Sequence, residues 1–326
     1  SKEISPESEN FGGVKIIRKL FKKIASEGYM DWDFEKEALD FKPDVIIAHS
    51  YRQIHTSKAL KIAKKTNARV FLVTHAPFAR ETTHSFFANM YIFFYDFFIA
   101  PKKLKSFNKI ISITKWENQH LYKLGLTDKQ IEYIPNGIVE EFFTIKPVVE
   151  EENKILFLGR VSPIKNLEVV IKAIPLLDDK IIFFEIVGPT EKKYLKKLNG
   201  LISENKVENR IIFSKPIFDL NEKIKKIDSA KIFILPSISE GMPQGLIEGL
   251  AREKIVIASD NKASRDLIEN GKNGYIFPTH DYKSLAKLVN SIDEKNQKKT
   301  RNEARKSVEK FSWNEIIKKI EALIKG

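Results

Sequence analysis

Short runs of β-branched and aromatic residues alternate along this chain with stretches whose apolar positions recur every three or four residues. The strand-like runs are DVIIAHS (Asp44 to Ser50), RVFLVTH (Arg69 to His75), KIISIT (Lys109 to Thr114) and IEYIPNG (Ile131 to Gly137). A second series follows: KILFLG (Lys154 to Gly159), IIFFEIVG (Ile181 to Gly188), RIIFS (Arg210 to Ser214), KIFILPS (Lys231 to Ser237) and KIVIAS (Lys254 to Ser259). Strands separated by helical patterns predict βα units and mostly parallel sheets. The acidic, non-periodic stretch from Pro147 to Asn153 reads as a linker, so two α/β domains are expected, over 1–148 and 149–311. No fixed-period repeat argues for a solenoid. Near the start, Gly12-Gly13 precede Ile16, Ile17, Leu20, Phe21 and Ile24 at helical spacing, with Gly28 as the stop, which predicts an amphipathic helix. A glycine pair before a helix can bring backbone N–H groups to a phosphate, although most such pairs are only turns.

Composition narrows the picture. A chain of 326 residues exceeds one typical core. Zero cysteines exclude disulfides, thiolate metal sites and cysteine nucleophiles, and fit a reducing compartment. No leader-like segment and no run of about 20 apolar residues is read, which sets the expectation of a cytoplasmic protein. The formal charge of +13 calls for an anionic partner or a lysine-rich solvated surface. No zinc-finger, RNA-binding or helix-turn-helix pattern supports nucleic acid, leaving phosphorylated small molecules or an anionic membrane.

Chemistry concentrates in Leu235 to Leu250, LPSISEGMPQGLIEGL, which reads as a strand end, a turn and a helix start. With the helix beginning near Pro243, its unpaired N–H groups and positive dipole end favour an anion. Glu240, just before it, suits sugar hydroxyls, and Glu248, further in, suits two ribose hydroxyls. The plain alternative is a helix cap and a solvated carboxylate. A paired-carboxylate hydrolase is another option, but no spacing fixes the glycosidase separation. In FLGRVSPIKN, Gly159 permits a tight turn, and Arg160 and Lys165 can converge on a diphosphate leaving group, although the loop taken alone reads better as two surface cations of a lysine-rich protein.

With GRVSPIKN, SEGMPQGLIE and NGKNGYIFPTHD, the run from Lys154 to Asp281 resembles the C-terminal half of retaining, family-four GT-B glycosyltransferases, marked by a Glu-x7-Glu segment. Gly12-Gly13, DVIIAHS, the VTH before Ala76 and IPNG extend the likeness over nearly the whole chain. The resemblance implies GT-B architecture, two Rossmann-like doubly wound domains facing a central cleft. The second domain would bind a UDP- or GDP-sugar and the first the acceptor, with helix 312–326 packing back on the first. Arg160 and Lys165 match the diphosphate cations, Glu240 the sugar carboxylate and Glu248 the ribose carboxylate. Gly241, Met242 and Pro243 would line sugar and phosphate, and His75 matches the active-site histidine, while His49 reads as structural. The implied reaction is metal-independent, cofactor-free transfer with retention. Two departures stand out. SKEISPESEN and YMDWDFEKEALD are too polar for the expected inner strands, so stretches of a longer chain are read as missing. NKASRD replaces a glycine-rich segment, with Asp266 standing in for the family's glutamate.

The acceptor side centres on His84 to Ala100, HSFFANMYIFFYDFFIA, with eight of the chain's 35 aromatics. As a helix it carries one stripe of Phe86, Met90, Phe93, Phe94 and Phe97 and another of Phe87, Tyr91, Tyr95 and Phe98. From Phe97 to Trp116 come five lysines, Lys102 and Lys103 first, and no acid. An aromatic helix flanked by lysines suits an anionic membrane interface. The expectation is a peripheral enzyme on the inner face of the cell membrane with a lipid-linked acceptor. A soluble acceptor, a buried or dimeric helix and a non-catalytic binding protein remain the alternatives. The base, the sugar and the oligomeric state are not legible.

Overall fold

The computed structural model describes residues 8–23, 30–78, 86–146, 152–292 and 294–326. The chain divides into two compact units. One comprises Ser1–Ile113 with Glu117–Tyr133, and the other Thr114–Trp116 with Ile134–Gly326.

The first unit opens with two antiparallel hairpins, β1 (Ser8–Phe11) with β2 (Val14–Ile17) and β3 (Phe21–Lys23) with β4 (Met30–Trp32). This corrects the helix expected after Gly12-Gly13. The glycine pair takes φ of +57° and +82°, the conformation of a two-residue hairpin turn. Ile16 and Ile17 therefore lie in β2 and Phe21 in β3, with Leu20 in the link between them and Ile24 outside the described residues, and no helix N-terminus stands behind the glycines to hold a phosphate. Gly28 lies outside the described residues. A four-stranded parallel sheet follows, β5 (Val45–His49), β6 (Arg69–Val73), β7 (Lys109–Ser112) and β8 (Ile131–Tyr133), in simple sequence order. Among the described residues β5 forms one edge of it. Phe71, Leu72 and Ile110 at the sheet centre are fully buried, as a sheet covered on both faces requires.

The second unit is built on six parallel strands: β9 (Glu152–Leu158), β10 (Phe183–Val187), β11 (Ile211–Ser214), β12 (Ala230–Leu235), β13 (Ile255–Ser259) and β14 (Tyr275–Phe277). Their order across the sheet is β11-β10-β9-β12-β13-β14, the doubly wound arrangement in which strand order reverses between the first and fourth strands. Leu156, Phe157, Phe233, Ile234 and Ile257 fill the core. Thus the expected α/β fold with two Rossmann-like domains is the one observed.

The division between units falls earlier than the acidic stretch suggested. Ile138 and Phe142 belong to the second core, and Ile138 bridges to Ser312. The last helix, Trp313–Lys325, is part of this second unit, with the Trp313 indole so close to Gly137 that a Cβ there would meet it at 2.6 Å.

Arg252 anchors this segment. Its guanidinium donates to both Asp228 oxygens at 2.7 and 2.8 Å, and to the carbonyls of Phe142 and Ile145 at 3.0 and 2.6 Å. Both side chains of the pair are 1% exposed. Removing one partner strands the other charge in the core. Arg252→Met should therefore lower unfolding free energy by about 3–5 kcal/mol, read from urea denaturation, while Arg252→Met with Asp228→Leu recovers much of the loss.

Candidate functional site

Loops leaving β9 and β12 start side by side at the reversal point, the position where open α/β sheets bind ligands. After β9 the chain is pinned by Gly159 N–H to Val187 C=O at 2.9 Å and Val161 N–H to Pro189 C=O at 2.8 Å. A 3-10 turn over Pro163–Lys165 ends at Asn166, which is left-handed (φ +49°). The Asn166 amide donates to the carbonyls of Pro236 and Thr279, at 3.2 and 2.7 Å. Ile238 N–H then donates to Ile164 C=O at 2.9 Å. These bonds draw the two loops together and set Lys165 Nζ 2.5 Å from Glu240 Oε1, with the side chains 18% and 14% exposed. Arg160 is exposed in the same loop as Lys165.

The helix predicted near Pro243 runs Gln244–Ala251, with Pro243 at the N-cap and no side-chain cap. The first-turn amides thus form an uncompensated positive end beside Glu240. Glu248, 7% exposed, accepts from Lys223 Nζ at Oε1, 2.6 Å away, while its Oε2 is buried without a partner among the described residues. Leaving such an acceptor unpaired costs about 1–3 kcal/mol, which a hydroxyl donor would relieve. Lys223, on the helix Leu220–Asp228, escaped sequence reading: it lies 25 residues before Glu248 with no spacing rule to join them.

Other expected contacts are taken by the protein itself. Gly241 C=O accepts the Trp116 indole N–H at 3.3 Å, and Met242 Sδ accepts the Asn136 N–H at 3.1 Å. Asp266, read as a substitute glutamate, is exposed and also carries a backbone contact. Its Oδ2 accepts the Trp116 N–H at 3.0 Å. In place of a glycine-rich segment, Asn261 caps the helix Lys262–Leu267 through Ser264 N–H.

In the first unit, His49 ends β5 and His75 lies two residues past the end of the adjacent β6, and His49 Nδ1 lies 2.9 Å from His75 Nε2. Burial first, and a neighbouring imidazole second, hold both rings below the ordinary histidine pKa. His55 Nε2 also meets the His49 carbonyl at 2.6 Å. Four non-glycine residues here are left-handed: Ser50, Arg52, His75 and Ala76, with φ of +71°, +67°, +60° and +49°. Each costs about 1–3 kcal/mol, a strain that marks sites whose surroundings over-determine the backbone. The sequence singled out His75 but left His49 as structural, and the structure pairs them.

The family model "Glycosyl transferases group 1" matches residues 139–311, more than half of the chain. The chain belongs to this family. The model "Glycosyltransferase Family 4" matches residues 4–142. Similar proteins include the amylovoran biosynthesis glycosyltransferase AmsK of Erwinia amylovora, 27% identical over 58% of this chain and 48% of that protein. Another is the phosphatidyl-myo-inositol mannosyltransferase of Mycolicibacterium smegmatis, 27% identical over 57% of this chain and 50% of its own. The chain spans about half the length of the curated relatives it matches. Among solved structures, Anabaena Alr3699/HepE in complex with UDP and glucose superposes with a TM-score of 0.74, covering 89% of this chain and 80% of that one at 16% identity. That likeness shows the fold.

In this group 1 chain the aromatic segment is helical throughout, as an α-helix over Phe86–Phe94, a π-helical stretch over Tyr95–Ile99 and an α-turn over Ala100–Leu104. Met90, Tyr91, Phe93, Phe94, Phe97, Phe98 and Ile99 are exposed, and so is Lys102. The Phe87 side chain lies outside the described residues. Two members of the expected outer face turn inward. Tyr95 is buried, and Lys103 donates to Gln53 C=O, Thr56 Oγ1 and the Tyr95 hydroxyl at 3.3, 2.8 and 3.1 Å. Asp96, within the π-helical stretch, accepts from Arg52 Nε and Nη2 at 2.9 and 2.6 Å and from the Tyr51 hydroxyl at 3.0 Å.

Burial lowers the Lys103 pKa from 10.5 to about 8. Between those values the unfolded chain binds the proton that the folded chain has released, so this residue makes stability rise with pH across that window. Denaturation of wild type and Lys103→Met at both ends of the window should show the rise shrinking in the variant.

Proposed function

We propose that this protein transfers a sugar, with retention of anomeric configuration, from a UDP- or GDP-linked donor to a lipid-linked acceptor at the inner face of the cell membrane. One observation carries the reading: an ammonium, a carboxylate and an uncapped helix N-terminus converge where strand order reverses, with Glu248 on the same helix. A diphosphate fits the helix end with Lys165 and Arg160. Glu240, steered by Lys165, fits the sugar hydroxyls, and Glu248 Oε2 the ribose. His75, held by His49, is assigned to the donor sugar.

The chemistry follows from charge. As the glycosidic bond to phosphate breaks, negative charge grows on the leaving diphosphate, where Lys165, Arg160 and the helix dipole stabilise it. A departing phosphate oxygen takes the acceptor proton on the face of attack, so the protein supplies position and charge without a side-chain nucleophile. The same cations supply the neutralisation that a divalent metal provides elsewhere, so none is required.

Support for the donor comes from solved relatives in the fold that hold UDP and UDP-glucose. A lipid acceptor is favoured by the exposed aromatic face and by the mannosyltransferase relative whose name specifies phosphatidyl-myo-inositol. No described helix is long and apolar enough to cross a membrane.

A panel of UDP- and GDP-sugars should raise the melting temperature only for the donor that binds. Lys165→Ala and Glu240→Gln should each lower kcat about 10²–10³-fold with that donor. Transfer surviving Lys165→Ala combined with Glu240→Ala would sink the assignment.

A further inference from the structure

A cavity of about 350 Å³ in the first unit is walled by the aromatic helix and by the short helix Asn118–Lys123. Phe93 and Phe97 stack on each other at 6.3 Å, 59% and 65% exposed, and both line it. Phe78, stacked on the His120 ring at 5.1 Å, lines it too. Lys123 and Leu124 complete the lining. Asp96 is the one carboxylate in the lining, and Arg52 neutralises it through two hydrogen bonds. The cavity therefore joins wide aromatic faces to a cationic end whose only lining acid is already paired, and its volume is that of ligand pockets.

Such a surface complements a molecule that is apolar along its length and anionic at one end. We propose that this cavity is the subsite for the phosphate of the acceptor lipid and the first part of its hydrocarbon chain. Lys123 and His120 hold the phosphate, and Phe93 and Phe97 carry the chain. The inference rests on the lipid-linked acceptor proposed above and narrows it to phosphate-bearing lipids, excluding neutral glycolipids. Lysine contributes a charge-assisted contact to phosphate that an uncharged lipid alcohol cannot use.

Sedimentation with phosphatidylcholine vesicles carrying polyprenyl phosphate, polyprenol or phosphatidylserine tests this. Wild type should bind the polyprenyl phosphate vesicles about tenfold more tightly than polyprenol vesicles, the worth of one such contact. Lys123→Gln should erase that difference, and Phe97→Ser should weaken binding to all vesicles. Both variants should keep the wild-type melting temperature and its shift with the donor sugar. Equal binding to polyprenol and polyprenyl phosphate overturns the subsite. Phosphatidylserine matching polyprenyl phosphate, with Lys123→Gln without effect, overturns it in favour of diffuse surface charge. A phosphate preference lost in Lys123→Gln supports the subsite even where no nucleotide sugar shifts the melting temperature, an outcome that would remove only the donor reading.

Discussion

Reversal of strand order between β9 and β12 is the constraint on which the candidate donor site depends. Parallel neighbours deliver their following loops to the same sheet end, and the reversal sends the two loops apart, opening a crevice. Left alone, residues in those loops would have no reason to meet. Backbone bonding supplies it, through Ile238 N–H to Ile164 C=O and through the Asn166 amide to Pro236 and Thr279. Only then can Lys165 and Glu240, 75 residues apart, form a mostly buried pair at 2.5 Å. The pair holds each charge in place at the strand ends, where the proposed donor would take over part of the partnership.

This explains what could be read from sequence. The strands of the second unit were legible because buried parallel strands are continuous apolar runs, and the carboxyl ends of those runs carry Arg160, Lys165 and Glu240. The helix start at Pro243 was legible from turn chemistry. Lys223 was not, since helix packing alone brings it to Glu248. Nor was the inward turn of Lys103: a lysine in a basic stretch reads as solvated until the Gln53 carbonyl and the Tyr95 hydroxyl are seen around it. The N-terminal segment misled because apolar residues at 16, 17, 20 and 21 satisfy helical spacing, while 16, 17 and 21 equally suit two short strands. Positive φ at Gly12 and Gly13 decided for the hairpin. YIF at 275–277 was read only as part of a motif and proved to be the edge strand β14.

The aromatic helix shows how polar groups shape an apolar element. Asp96 is a carboxylate inside an otherwise apolar run. In the structure it fastens the helix to Arg52 and Tyr51, just after β5, as Lys103 fastens it to Gln53 and Thr56. These bonds fix which rings face out. Tyr95 turns inward beside Lys103, while Phe93, Phe94, Phe97 and Phe98 are left exposed.

The two ends of the second sheet treat polar groups differently, and the difference separates stability from function. At the amino ends of the strands, buried charges are satisfied. Lys154 donates to Ser229 Oγ and pairs with Glu185 from the middle of β10, and Arg252 donates to Asp228 and two carbonyls. Toward the carboxyl ends, Ser237 Oγ, Ser264 Oγ and Glu248 Oε2 are buried without partners. In the first unit Gln53 Oε1, His55 Nδ1 and Ser112 Oγ, near the ends of β5 and β7, are in the same condition. Native interiors rarely tolerate such groups, because each forfeits its hydration for nothing. A fold that pairs every one of the named charges at one end of its sheet has the means to pair those at the other. Leaving them at the end where α/β sheets receive ligands is the arrangement expected when their partners are hydroxyl and phosphate groups that arrive with the substrate.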